Sequence, residues 1–416
     1  MRWPLLAALL TLTAPVASAG ATQVHLTTLG DTYVVTFASD AANAPVVSWP
    51  GGSGPSNTTG ALGLYAARIP ATAAWYEVEG RRFELRAPPA VGASTRVAYV
   101  ADLGTGSNAS AIARAIAAQK PDLVLVGGDL AYAHGNDGTW AEWFAMMEPI
   151  ASIRPLMPAF GNHEGYCGDA ESFRGCASER QAFHQRFVLP RDALDYAFDW
   201  GPIHVTVLDT EAYEGDGWPT DPKEQKTFLT SSLADVGGRW NVVMYHRPLR
   251  TTNLHEEAAA DDARAQLNDT LNTRADLVLQ AHVHAYERSV REEGRAQFVT
   301  SGGGGRPLYD EWAPMEPWVA KRATEHHFLL LDITPTRIDA KAIRADGSTL
   351  DSFSLERPAP PSPTPPSATP TATPGGTPTG TTPPNATTPI DEARAPLPLA
   401  VALVAVGVAV AWRRRG

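Results

Sequence analysis

The sequence predicts an α/β domain over residues 93–356, preceded by a small all-β domain over residues 20–90. Three observations carry this expectation. Short β-rich runs and turns fill the stretch from Gln23 to Pro88. Past Pro88-Pro89 the rhythm changes to apolar strand-like runs separated by a helical stretch. With both ends of the 416-residue chain set aside, too much remains for one typical core.

Taken in order, residues 1–19 read as an export signal. Arg2 is a minimal basic start, Leu5 to Leu12 is almost wholly apolar, and Ala17-Ser18-Ala19 is a small-residue cleavage site. In the all-β stretch, Val24-His25-Leu26, Tyr33 to Phe37 and Val46 to Trp49 are strand-like, and Pro50 to Pro55 reads as a breaker. Trp75 to Val78 and Arg82 to Leu85 flank Glu79-Gly80 as a hairpin would. Strands this short and closely spaced suggest a small β-sandwich.

The α/β stretch opens with Val97 to Ala101 running into Asp102. A helix follows over Ala109 to Gln119, with Ile112 and Ile116 on one face, and then Leu123 to Val126 runs into Gly127, Gly128 and Asp129. Strand, helix, strand implies a parallel sheet with crossover helices. Three later apolar runs end in the same way: Met157 to Phe160 before Asn162, Val242 to Met244 before His246, and Leu277 to Leu279 before His282. Functional groups gather beyond the carboxyl ends of strands in such sheets, so these distant fragments are expected to meet in one crevice.

Those fragments are Asp102-Leu103-Gly104, Gly128-Asp129-Leu130-Ala131-Tyr132, Gly161-Asn162-His163-Glu164, Val243-Met244-Tyr245-His246 and His282-Val283-His284. They supply two carboxylates, one amide, three imidazoles and one phenol. That set can hold two adjacent metal ions and leave room for water and phosphate, which points to a phosphoesterase. Asp129 alone would read equally well as a helix cap. Beside Asp102, however, it makes a pair of close carboxylates that needs cations to be tolerable. Tyr132 alone would read as a packing aromatic. As a ligand it must lose a proton with an ordinary pKa of about 10, which Fe(III) favours far more than a divalent ion does. His246, His282 and His284 are borderline donors suited to iron, zinc or manganese.

With these motifs in view, the chain resembles the purple acid phosphatases of the metallophosphoesterase superfamily. The most specific stretch is Ala281-His282-Val283-His284-Ala285-Tyr286-Glu287-Arg288, which departs from the family pattern only in having Ala281 for glycine. The resemblance implies a metallophosphoesterase-like β-sandwich flanked by helices, behind a fibronectin type III-like domain. It implies Fe(III) on Asp102, Asp129, Tyr132 and His284, and a divalent ion (Zn, Fe or Mn) on Asp129, Asn162, His246 and His282. It casts His163 as a phosphate contact outside the metal ligands and His255 as the proton donor, with Glu256 where the family often has a second histidine. The implied reaction is hydrolysis of phosphate monoesters by a hydroxide held between the ions, with an acid pH optimum. Two alternatives are a phosphodiesterase or nucleotidase on the same residues, and a non-catalytic surface binding protein. The intact ligand set disfavours the second.

Cys167 and Cys176 are the only two cysteines. In an exported chain they are expected to form a local disulfide that pins the loop after Asn162 and His163. The tripeptides at Asn57, Asn108, Asn268 and Asn385 read as glycosylation acceptors. Residues 357–394, built largely of Pro, Thr, Ser, Ala and Gly, read as a semi-stiff stalk. Residues 395–412 are apolar and, at about 1.5 Å each, reach roughly 27 Å, just enough for a transmembrane helix. The basic tail over residues 413–416 sets the expected orientation, with the bulk of the chain outside. A formal charge of −11 argues against nucleic acid as a partner.

Overall fold

Turn chemistry shapes the N-terminal part of the protein. The computed structural model describes residues 20–60, 62–166, 177–214, 220–255 and 261–358. Glu79 and Gly80 both adopt positive φ, +45° and +77°, the backbone that a two-residue hairpin turn with right-twisted strands requires. The strands here are β1 (Thr22–Thr28), β2 (Thr32–Ala38), β3 (Val46–Trp49), β4 (Gly52–Pro55), β5 (Asn57–Thr58), β6 (Leu64–Pro70), β7 (Trp75–Val78) and β8 (Arg81–Glu84). They form two antiparallel four-stranded sheets, ordered β1-β2-β6-β5 and β4-β3-β7-β8. The stretch expected to break structure after Trp49 instead forms a hairpin. Pro50 and Gly51 make the turn, and Gly52–Pro55 pairs back on β3. A proline at the end of an edge strand gives up no ladder bond, which is why the run is tolerated.

The α/β part follows as β9 (Thr95–Val100), α1 (Ser107–Gln119), β10 (Leu123–Val126), α2 (Asp137–Ala151), β11 (Leu156–Pro158), α3 (Ala177–Arg186), β12 (Tyr196–Trp200), β13 (Ile203–Val207) and α4 (Pro222–Ser232). It continues with β14 (Trp240–Met244), α5 (Asp261–Arg274), β15 (Leu277–Gln280), β16 (Tyr286–Ser289), β17 (Gln297–Ser301), β18 (Val319–Ala323), β19 (His327–Ile333), β20 (Arg337–Arg344) and β21 (Thr349–Glu356). The parallel pairing expected from the strand–helix–strand rhythm is present within two mixed sheets, in keeping with the two-layered architecture that the resemblance implies. One runs β11-β10-β9-β19-β20-β21 and the other β12-β13-β14-β15-β17-β16-β18. The parallel strands lie side by side in each, β11-β10-β9 and β13-β14-β15-β17. Antiparallel strands complete the edges. Leu123–Val126 is buried throughout, as a parallel strand covered on both faces should be. Tyr99 on β9 donates to Gln280 O on β15 at 2.9 Å, tying one sheet to the other.

The N-terminal sheets share the buried apolar cluster of this body: Val24, Leu26, Tyr76 and Val78 belong to it with Val97, Phe144 and Leu156. Tyr76 Oη donates to Ser152 O at 2.7 Å, Thr27 Oγ1 to Val188 O at 2.6 Å, and Arg81 pairs with Glu148. The expected signal over residues 1–19, Cys167 and Cys176, Glu256, the stalk beyond Pro358, the apolar run 395–412 and the basic tail lie outside the described residues. Among the described residues, no helix is long and apolar enough to cross a membrane.

Candidate metal centre

Each metal-ligand candidate stands just past a strand end. Asp102 follows β9, Asp129 and Tyr132 follow β10, Asn162 follows β11, His246 follows β14, and His282 and His284 follow β15. The loops are held in unusual backbone conformations: φ is +54° at Asp102, +52° at Asp129, +55° at Tyr132 and +67° at His282. Side chains other than glycine rarely adopt this region. Its concentration at one locus is the kind of strain that functional sites hold and the surrounding packing enforces.

The donor atoms converge. His246 Nε2 lies 3.0 Å from Asn162 Oδ1, 3.3 Å from Asp129 Oδ1 and 3.2 Å from His282 Nδ1. Tyr132 Oη lies 3.0 Å from His284 Nε2 and 3.3 Å from Asp102 Oδ1, with His284 Nε2 3.6 Å from that same oxygen. Ligands about 2.0–2.2 Å from a shared ion sit roughly 3.0–3.5 Å from one another, so both sets have the spacing of a coordination shell. Asp129, His246 and His282 form a buried group able to hold a cation.

Neighbouring carbonyls aim two of the imidazoles. His246 Nδ1 donates to Gly127 O at 2.9 Å, and His284 Nδ1 donates to Pro307 O at 2.8 Å. In each ring the Nε2 lone pair is therefore turned toward the other donors, as metal-binding histidines are usually held.

The electrostatics call for cations. Burial raises the Asp102 carboxyl above its usual range, and the Asp129 charge adds to the effect. Burial also resists ionisation of Asp129, but His246 and His163 hold it well below the usual range. Burial, then the Asp129 and Asp102 charges, push the Tyr132 phenol well above its ordinary value. The protein alone thus disfavours the phenolate that a trivalent ion would bind. A donor set this acidic and this buried fits two multivalent cations.

His163 sits at the edge of the cluster. Its backbone N donates to Asp129 Oδ1 at 2.9 Å, and its ring lies tilted by 40° against Tyr132 with 4.1 Å between centroids. Burial lowers its pKa to about 4, so the ring is neutral above that pH. His255 stands further out and is exposed. Its ring stacks at 4.1 Å on Tyr309, which stacks at 4.1 Å on His284. Ala281, the departure from the family pattern, is buried without positive φ, so its methyl group is accommodated in the core.

Several residues went unassigned at the level of sequence. Glu164 is buried and accepts from the backbone N–H groups of Asp129, Leu130 and Gly161 at 2.7, 2.8 and 3.0 Å, lashing two ligand loops together. It stood in plain view beside Asn162 and His163, but nothing in the run distinguishes a loop clamp from a helix cap. Arg247 bonds the buried Glu211 carboxylate at 2.9 Å and places Nη1 2.9 Å from His282 Nε2. His134 Nε2 lies 2.5 Å from His163 Nδ1. Arg306 and Tyr309, just after the Gly302 to Gly305 run, carried no sequence signal because their partners are distant in the chain.

Comparison with known proteins bears on the fold and the kind of domain. The family model for calcineurin-like phosphoesterases matches residues 95–286. Purple acid phosphatase 22 of Arabidopsis thaliana is 31% identical over 226 residues, covering 51% of this chain and 49% of that protein. A probable inactive purple acid phosphatase 1 from the same plant is 28% identical over 278 residues, covering 58% of this chain and 44% of that one. The chain therefore spans about half the length of the relatives it matches. Among solved structures, the purple acid phosphatase PPD1 of yellow lupin (Lupinus luteus) superposes with a TM-score of 0.68 at 21% identity. The match covers 81% of this chain and 74% of that one, a likeness of fold. The domain match, the sequence relatives and the shared fold point the same way: the chain is similar to the purple acid phosphatases of the metallophosphoesterase superfamily.

Proposed function

We propose that this protein hydrolyses phosphate monoesters at a binuclear Fe(III)–divalent metal centre, outside the cytoplasm. The reading rests above all on the convergence of seven donor side chains from five strand ends, at the mutual distances of shared coordination. Asp102, Tyr132 and His284 would hold the trivalent ion, Asn162, His246 and His282 the divalent ion, and Asp129 would bridge them. Bound there, the two ions would supply an activated water and neutralise charge on the phosphoryl oxygens.

The chain's own groups do the rest. His163, neutral and fixed beside Asp129, offers a ring N–H to a phosphoryl oxygen. His255, solvent-exposed at the end of the ring column from His284, would hand a proton to the departing alkoxide, a role the stacking on Tyr309 supports. Two carboxylates and a phenolate against a nominal +5 leave an excess of positive charge, which suits an anionic ester and favours hydroxide at acid pH. The strand order β1-β2-β6-β5 over β4-β3-β7-β8 supports reading the N-terminal sheets as a fibronectin type III-like module. Export and a C-terminal membrane anchor remain part of this proposal, on the sequence of the two ends.

The test is a metal analysis joined to rates on p-nitrophenyl phosphate and its bis-ester. The proposal expects two metals per chain, faster monoester hydrolysis and an acid optimum. A metal-replete protein that is inert on the monoester, or whose activity climbs steadily to pH 9, would overturn it.

A further inference from the structure

Arg247 follows the ligand candidate His246 directly and meets a second one, His282, from the side. Its Nη1 lies 2.9 Å from His282 Nε2, while His282 Nδ1 lies 3.2 Å from His246 Nε2, inside the donor cluster. Both nearby carboxylates sit at the Nε of the arginine. Glu211, fully buried, approaches it at 2.9 Å, and Glu214 Oε1 stands at 4.0 Å. The backbone N of Arg247 donates to Thr210 Oγ1 at 2.9 Å, which anchors the residue to the turn after β13. Only 13% of the side chain is exposed.

An arginine only donates, so its bond to His282 Nε2 uses the lone pair of that nitrogen. A neutral imidazole has one such lone pair and one N–H. If an ion takes Nε2, the lone pair is spent. If it takes Nδ1, the ring proton sits on Nε2 and faces the N–H of Arg247. Either way, an ion and Arg247 cannot share His282. His246 and His284 show the compatible arrangement, in which the outer nitrogen donates to a carbonyl. Loading the divalent site therefore deprives Nη1 of its acceptor.

A charged donor left nearly buried beside the ions is unfavourable until something completes it. The planar fork of an arginine is suited to the oxygens of a phosphate. Tyr166 ties Arg247 to the pocket wall. Its hydroxyl is hydrogen-bonded to the Asn162 side chain and feels the Arg247 charge, and its ring meets His163 edge-on at 5.1 Å. We propose that Arg247 is a phosphate-binding residue on the divalent-ion side of the pocket, released for that role when the metal takes His282. The inference rests on the proposed phosphatase reading and adds a residue to its anion site. Phosphoryl oxygens are then held from two loops, by His163 after β11 and by Arg247 after β14, with Glu211 keeping the root of the guanidinium in place.

The experiment titrates orthophosphate into metal-loaded wild type and Arg247→Gln by calorimetry, with the metal content of each measured alongside. The variant should keep both metals and bind orthophosphate about tenfold more weakly, because one charged donor is lost. A fall of at least about threefold supports the contact, and a smaller one overturns it. Loss of the divalent ion from the variant also overturns it, since Arg247 then serves His282 and not the anion. In metal-free protein, where Nη1 bonds His282, the same substitution should leave orthophosphate binding unchanged, and an equal loss there overturns the release. Should Arg247→Gln fail to fold with Glu211 left unpaired, the double variant Arg247→Gln/Glu211→Gln removes both charges and is read in the same way. A wild type that holds two metals and binds no orthophosphate would instead strike at the phosphatase reading itself.

Discussion

At the residue scale, the side chains around the ligands are as constrained as the ligands. A methyl group at Gly161 would run into Asp129 Oδ1, and one at Gly302 into Asp102 Oδ2. Gly161→Ala should therefore lower metal occupancy, measured by metal analysis of the purified protein, while the secondary structure seen by circular dichroism persists. Tyr132→Phe should abolish any visible phenolate-to-iron charge-transfer band without unfolding the protein. A fully active wild type lacking that band would instead indicate an all-divalent centre. Asp209, fully buried and bonded by Thr220 Oγ1 at 2.7 Å, is pushed by burial up to about 7. The unfolded chain releases this proton near 3.8. The stability Asp209 contributes is thus fully present below that pH and is lost as pH rises through about 7. In denaturant melts of metal-free protein, Asp209→Asn should gain on wild type between those limits, by on the order of a few kcal/mol. A gap that does not change with pH would remove Asp209 from the account.

At the scale of elements, the loops after β10 and β11 act as one piece because Glu164 accepts three of their N–H groups. Glu164→Gln keeps the shape but leaves one face of the amide donating toward donors. It should cost about 1–3 kcal/mol in urea unfolding and weaken metal binding. Equal stability and metal affinity in the variant would show that the clamp is dispensable. The same loops show what the sequence could and could not reveal. The ligand fragments were legible because each carries its chemistry locally, as an Asp, His or Tyr directly after an apolar run. The N-terminal strands were legible from β-rich runs and from Glu79-Gly80. The second sheet's antiparallel edges were not, since β16 and β18 pair across a long excursion that leaves no periodic trace. The β3–β4 hairpin was hidden by a Pro- and Gly-rich run that reads equally as a linker. Arg247, Arg306 and Tyr309 were invisible because their meaning depends on partners brought close only by the fold.

At the scale of the whole molecule, the sheets of the N-terminal module and the α/β body share a buried cluster and the bonds from Tyr76, Thr27 and Arg81. Residues 20–358 should consequently unfold in a single cooperative thermal transition. Deleting residues 20–90 should expose α2 and β11 and leave the remainder prone to aggregation. Two well-separated transitions would mean that the shared core is not energetically coupling. The parallel strands of the two sheets direct their carboxyl ends at one locus, and the functional reading depends on what gathers there. The most direct measurement is anomalous diffraction from crystals of the metal-loaded protein, collected at the iron edge and at the edge of the second metal found in it. The account predicts two peaks about 3.5–4 Å apart, with Asp129 between them, Tyr132 beside the iron and His246 beside its neighbour. One peak alone, or two that avoid these side chains, would contradict it.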